Sequence, residues 1–222
     1  MRGWAMAEVN LLKTYPKAVR DIAQRVQGKD ANRALALKFG FEYFDGPREQ
    51  GYGGYRYDGR WVPIAQTFVA HFGLTPGDRV LDVGCAKGFL VKDLADVCQG
   101  LEVYGLDISE YALTEAHHDV AGRLVRGSCD TLPFDDHSFE AVICINTIHN
   151  LEPARCATAI RELQRVSKGR GFIQVDAYRS AAERQLFEDW MLTAKSYYMP
   201  EAWESLFDSC GYTGDYYWTV LE

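Results

Sequence analysis

The feature that most constrains this chain is a regular alternation beginning at Asp78, in which short apolar runs of strand length are each followed by a helical stretch. The sequence predicts a strand over Arg79 to Val83, a helix over Lys87 to Cys98, a strand over Leu101 to Leu106 and a helix over Glu110 to His118. Strands follow at Gly122 to Arg126 and Phe139 to Asn146, then a helix at Pro153 to Val166 and a strand at Gly171 to Val175. The run Ala141-Val142-Ile143-Cys144-Ile145 is apolar at every position, as a strand needs to be when helices cover both faces of a parallel sheet. The expected fold class is α/β, a doubly wound, mostly parallel sheet. Helices over Ala181 to Thr193 and Pro200 to Cys210 precede a terminal pattern from Tyr212 to Leu221, read either as one strand or as two pairing antiparallel at the sheet edge.

Ahead of the alternation the chain has a different character. Two helices are expected, around Asn10 to Gln27 and from Asp30 to Phe44, forming an N-terminal helical cover. In the second, Leu35, Leu37, Phe39, Phe41 and Phe44 are too dense for one stripe, so it packs on more than one side. Residues 45–60 hold five glycines, three tyrosines and three arginines in sixteen positions, loop chemistry with more aromatics and arginines than a spacer needs. A helix from Trp61 or Pro63 to Phe72 is closed by Gly73 and Pro76-Gly77. The 222 residues suffice for one core and are short for two, so residues 1–60 read as cover and lid and 61–222 as the core with a C-terminal cap.

Composition narrows the partners. With 24 basic and 31 acidic side chains, a net charge of −7 and no basic tract, the chain is not expected to bind nucleic acid or an anionic membrane surface broadly. The six cysteines are scattered without a CxxC pair, and there is no secretory h-region and no apolar run of eighteen. These point to reduced cysteines in a cytoplasmic protein. Neither the cysteines nor the five histidines cluster at metal-ligand spacing, so no metal is expected.

The strongest local motif is Val80-Leu81-Asp82-Val83-Gly84-Cys85-Ala86-Lys87-Gly88-Phe89, at the first strand-to-helix junction. Glycines there let a ligand approach the backbone, and the helix start presents unpaired N–H groups. An acid precedes the first glycine and the spacing is GxxxG, which disfavours a dinucleotide pyrophosphate and suits a ligand with an amino group and no phosphate. Asp107, nineteen positions after Gly88 and just past the second strand, is placed either to accept from ribose hydroxyls or to cap the next helix. Asp130, after the third strand, either accepts from an exocyclic amine of adenine or is a solvated loop acid.

Together Asp82 to Gly88, Asp107, Cys129-Asp130 with Leu132-Pro133-Phe134, and Asp136 through Phe139 resemble the class I S-adenosylmethionine-dependent methyltransferases over roughly residues 60–176. The resemblance implies a Rossmann-like methyltransferase fold with S-adenosylmethionine as cofactor. It implies that the turn of Asp82, Gly84, Cys85, Ala86 and Gly88 receives the methionine portion, Asp107 and Ile108 the ribose side, and Cys129 and Asp130 the adenine. Ala86 stands where the family usually has a glycine. The Asn/Asp-Pro-Pro-aromatic signature of base and glutamine N-methyltransferases is missing, so a nucleic-acid base is not the expected acceptor.

For the acceptor, His149 follows the fourth strand at the carboxyl edge of the sheet, where it reads as a general base or as a structural histidine. Tyr52, Tyr55, Tyr57, Arg60 and Trp61 read as a lid over the pocket or as an ordered surface loop. Tyr178, Arg179 and Tyr197 form a second candidate wall. The expected activity is methyl transfer to a small polar or anionic metabolite in biosynthesis. A catalytically silent binding protein and a different enzyme on the same scaffold are the alternatives, and homodimerisation through terminal aromatics is open.

Overall fold

The computed structural model describes residues 6–17 and 20–221. Its centre is a six-stranded sheet in the order β3-β2-β1-β4-β5-β6. The strands are β1 (Arg79–Val83), β2 (Glu102–Asp107), β3 (Leu124–Arg126), β4 (Ala141–Ile145), β5 (Gly171–Asp176) and β6 (Asp215–Thr219). Every pairing is parallel; Val83 faces Leu106 on one side and Cys144 on the other. The chain walks outward from β1 through β2 to β3, then returns to place β4 on the opposite side of β1. That reversal leaves a crevice beyond the carboxyl ends of β1 and β4, where ligands of such sheets bind.

Alternation along the strands sends side chains to two cores. Val80, Val103, Ile143 and Phe172 pack with Ile64, Phe68 and Phe72 of α4 (Val62–Phe72) and Leu90 and Leu94 of α5 (Phe89–Val97). Leu81, Val83, Val142, Cys144 and Ile173 pack with Ile160 and Leu163 of α7 (Pro153–Val166) and Trp203 and Phe207 of α9 (Pro200–Ser209). All six cysteines are free thiols. Among the described residues no helix is long and apolar enough to cross a membrane.

Of the two readings left open for the terminal pattern one holds, and three expected helices need correction. The terminal pattern is one strand, and it lies parallel to β5, because the connection from Asp176 to Asp215 carries α8 (Ala181–Trp190) and α9 and so makes a crossover, not a hairpin. The outer edge of β6 is covered by residues 7–9, with Val9 donating to the Tyr216 carbonyl at 2.8 Å and Tyr216 to the Ala7 carbonyl at 3.0 Å. The helix expected from Asn10 to Gln27 reduces to α1 (Ile22–Arg25), since Pro16 breaks the run; residues 18–19 lie outside the described residues. The helix expected from Asp30 to Phe44 is two, α2 (Lys29–Ala36) and α3 (Phe41–Phe44), separated at Phe39 (φ 50°) and Gly40. This break gives the dense aromatic run two directions to face. The remaining helix, α6 (Glu110–Thr114), ends four residues before the expected His118.

Candidate active site

The turn after β1 is built from left-handed backbone. Gly84 (φ 84°) and Gly88 (φ 74°) adopt it freely, and Ala86 between them does so at φ 50°. Such a conformation costs a residue with a Cβ about 1–3 kcal/mol and persists where its surroundings fix it. Asp107 does the fixing: Oδ2 accepts from the Ala86 N–H and Oδ1 from the Ser109 N–H, both at 2.8 Å. Capping of α6 belongs to Ser109, whose Oγ accepts from the Ala112 N–H at 2.9 Å. Asp107 thereby joins the end of β2 to the turn and remains on the pocket floor.

That floor is Gly84, Ala86, Leu106 and Asp107, with Ile108 and Gly127 to Cys129 on one rim and Ile145 to Thr147, Asn150 and Leu151 on the other. Phe39, Tyr43, Phe44 and Tyr52 form the roof. Asp45 fastens this roof by accepting from Lys87 Nζ, from the Tyr111 hydroxyl at 2.6 Å and from the Tyr55 N–H at 3.0 Å. Burial raises the Asp45 carboxyl, but the Lys87 and Tyr111 hydrogen bonds outweigh it and hold the group below its ordinary value. The Ser109 hydroxyl adds a bond to the Phe39 carbonyl at 2.6 Å.

Beneath the turn lies Asp82, 4% exposed. Burial, with the Asp107 charge adding to it, pushes the Asp82 carboxyl up to about 8. A carboxyl raised on folding holds a proton that the unfolded chain releases, so the contribution of Asp82 to stability falls as pH rises from the ordinary carboxylate range toward about 8. Melting curves of the wild type and Asp82→Asn across that window should differ by this decline, the variant losing less stability as pH rises. An identical slope in the variant would remove Asp82 as its source.

Of the residues singled out from sequence, Gly84, Ala86, Asp107, Ile108, Cys129 and Tyr52 line this pocket. Cys85 is buried under the turn, where a Cβ on Gly105 would stand 2.6 Å from its Sγ, and Gly88 opens α5 against Val120 and Leu124. Asp130 turns away to Arg155, whose guanidinium and the Ser128 hydroxyl hold the carboxyl below its usual range. Tyr55 stacks on Phe89 at 4.9 Å, Tyr57 donates to Asp93 at 2.6 Å, Arg60 is paired with Asp58, and Trp61 is buried against Tyr15. Tyr178 and Tyr197 meet at 6.4 Å under Arg184, and Arg179 lines a separate groove with Glu8, Glu201 and Glu204. The structure does not bring these last seven residues to the pocket.

His149 lies in a 3-10 turn, 5% exposed, between the lining residues Thr147 and Asn150 but not itself among them. Its carbonyl accepts from the N–H groups of Lys195 and Ser196 at 2.8 and 3.0 Å. Its Nδ1 is 3.4 Å from the Asp176 N–H and 3.6 Å from that carboxylate. Burial lowers the imidazole below its ordinary value against the opposing Asp176 charge, so the ring is neutral near pH 7. Sequence reasoning missed Phe39, Tyr43 and Phe44, for which the signal was an aromatic run interrupted by Gly40. It also missed Thr147, which sits against Gly84.

A methyltransferase domain matches residues 81–175, from β1 to β5. A methyltransferase-type protein of Encephalitozoon cuniculi is 31% identical over 156 residues, which cover 61% of this chain and 69% of that protein. The chain belongs to the class I S-adenosylmethionine-dependent methyltransferase family. Another relative, the demethylmenaquinone methyltransferase of Symbiobacterium thermophilum, is 34% identical over 54% of this chain and 50% of its own length. The chain spans about half the length, or less, of the curated relatives it matches first. A methyltransferase-type crystal structure from Bacillus halodurans shares the fold, with a TM-score of 0.53 at 20% identity over 66% of this chain and 68% of that one.

Proposed function

We propose that the protein transfers a methyl group from S-adenosylmethionine to a small polar or anionic metabolite of a biosynthetic pathway. The observation that carries this reading is the Asp107 carboxylate, held on the pocket floor by two backbone N–H groups with lone pairs left to accept from vicinal hydroxyls. The other donors and walls fit the same cofactor. Asp82 lies under the turn, where an ammonium bound above it would displace the proton that burial makes its carboxyl hold, Leu106 and Ile108 offer an apolar face for a base, and Ser128 offers a polar edge. When bound, the cofactor supplies a methyl group already activated on a sulfonium. The chain's own residues then have to align the acceptor and exclude water, which needs little acid or metal apparatus.

His149 is the proposed base for an acceptor that must lose a proton. Nδ1 accepts from the Asp176 N–H at 3.4 Å, which leaves the proton of the neutral ring on Nε2; as a base, Nδ1 would have to exchange that bond for the acceptor's proton, and the Asp176 carboxylate at 3.6 Å would steady the imidazolium formed. His149→Ala should lower kcat by about a hundredfold or more, in the range of general-base effects, while cofactor affinity changes little. Undiminished turnover at every pH tested would end the base assignment. The test of the whole reading is calorimetric titration with S-adenosylmethionine followed by assay of S-adenosylhomocysteine over a panel of small acceptors. One cofactor per chain with product formed supports it; cofactor binding with no product on any acceptor favours the silent-binding alternative.

A further inference from the structure

We infer that Arg20, Arg25 and Arg48, gathered over the Trp190 ring, form an oxyanion subsite that holds the carboxylate or phosphate end of the acceptor; this rests on the methyl-transfer reading above. Arg25 ends α1, Arg48 opens a 3-10 turn and Trp190 ends α8. The three guanidinium carbons lie 5.9, 4.1 and 5.0 Å from the ring centroid, in the order Arg20, Arg25, Arg48. One cation over an indole is a favourable contact, but three sharing one ring repel each other.

Among the described residues no carboxylate stands at ion-pair distance from any of the three. Arg25 donates to the carbonyls of Glu49 and Gly51 at 3.5 and 3.3 Å, and Arg48 to those of Gly51 and Tyr52 at 2.9 and 3.1 Å. These acceptors carry no net charge. The nearby acids hydrogen-bond elsewhere, Glu188 to Arg184 and Tyr197, Asp189 to Gln185 and Glu49 to Gln24, so Glu49 and Asp176 act on Arg25 and Arg20 only through space. Arg25 is 4% exposed, and burial first, the Arg48 charge second, push its guanidinium down to about 10; the Glu49 charge opposes more weakly. Burying such a cation with neutral acceptors and no contacting counter-charge is costly, and an oxyanion bound by the planar forks offsets that cost.

The position of the nest relative to the pocket matters as much as its charge. Arg25 and Arg48 donate to the backbone of Gly51 and Tyr52, and the Tyr52 ring is part of the pocket roof. Arg20 acts electrostatically on Asp176, the neighbour of His149. The nest thus lies against the backbone that carries the Tyr52 ring, within electrostatic reach of Tyr43 of the roof and of Asp176 beside the proposed base. Neither arginine chosen from sequence competes for this task, because Arg60 is taken by Asp58 and Arg179 lines another groove.

The test titrates the full chain with inorganic phosphate and, separately, with succinate, by calorimetry at constant ionic strength. At least one anion should bind saturably to the wild type, and which one binds identifies phosphate or carboxylate as the source. Arg20→Gln, at an exposed position, should weaken that anion about tenfold or more, as loss of a charge-assisted hydrogen bond does, and Arg48→Lys should weaken it less. Failure of both anions to bind, or equal binding by wild type and both variants with unchanged melting curves, overturns the subsite. A parallel titration with S-adenosylhomocysteine separates the two readings: anion binding without it would sink methyl transfer, whereas its binding with anion binding absent would sink the nest alone.

Discussion

Replacing Asp107 by alanine should abolish measurable cofactor binding, with affinity falling at least a hundredfold. On the proposed cofactor reading the carboxylate accepts from two ribose hydroxyls, and hydrogen bonds to a charged group contribute about 1.5–3 kcal/mol each, so losing both exceeds two powers of ten. The same change leaves the buried N–H groups of Ala86 and Ser109 without their acceptor. Each such orphan costs about 1–3 kcal/mol, and Ala86 also loses the contact that offsets its left-handed backbone. Asp107→Ala should therefore melt earlier as well as bind poorly. Asp107→Asn separates the effects, because the amide oxygen can still accept from one N–H while the charge is gone. Calorimetry should find the asparagine variant folded and weakened by at least tenfold. Wild-type affinity in that folded variant would remove Asp107 from the ribose site.

How much of this was legible depends on where each signal resides. β1 to β5 were readable because a parallel sheet covered on both faces needs uninterrupted apolar strands, and helices must separate them. The pocket floor was readable for a related reason: a ligand approaching backbone at a strand-to-helix turn requires a glycine there, Gly84, and an acid at the next strand end, Asp107, both local patterns. The roof was not. Tyr52, Tyr55, Tyr57, Arg60 and Trp61 look alike as a lid sequence, yet only Tyr52 lines the pocket, since Asp45 anchors the chain there and the following residues run over α5 toward Asp93. Which aromatic faces inward is decided by long-range partners such as Lys87 and Tyr111, which no spacing within residues 45–60 records. Asp130 shows the same limit, because its carboxylate is claimed by Arg155 from α7, twenty-five positions away. Charge clusters assembled from three separate elements, as at Trp190, are likewise invisible until the elements are packed.

The second large effect is expected at Gly84. A Cβ built there would lie 1.8 Å from Thr147 Oγ1 and 2.7 Å from both Thr147 Cβ and Cγ2. Rotating the threonine relieves the first contact but not the one at Cβ, which is fixed to the backbone, and its hydroxyl is already committed to the Ile145 carbonyl at 3.0 Å. The left-handed φ of 84° adds its own penalty for any residue with a Cβ. Gly84→Ala should thus cost several kcal/mol, about 1–3 from overpacking and about 1–2 from the backbone, and should push the ends of β1 and β4 apart at the crevice. Cofactor binding should be lost with it, since the turn and Thr147 both line the pocket. The assignment to a clash can be isolated by pairing changes. Gly84→Ala combined with Thr147→Gly removes the opposing Cβ and should recover part of the stability, leaving only the conformational penalty, whereas Thr147→Ala keeps that atom and should recover less. Chemical denaturation of the three single and two double variants measures the coupling. Additive losses would mean that Thr147 is not what excludes a side chain at Gly84, and that the turn is limited by its backbone alone.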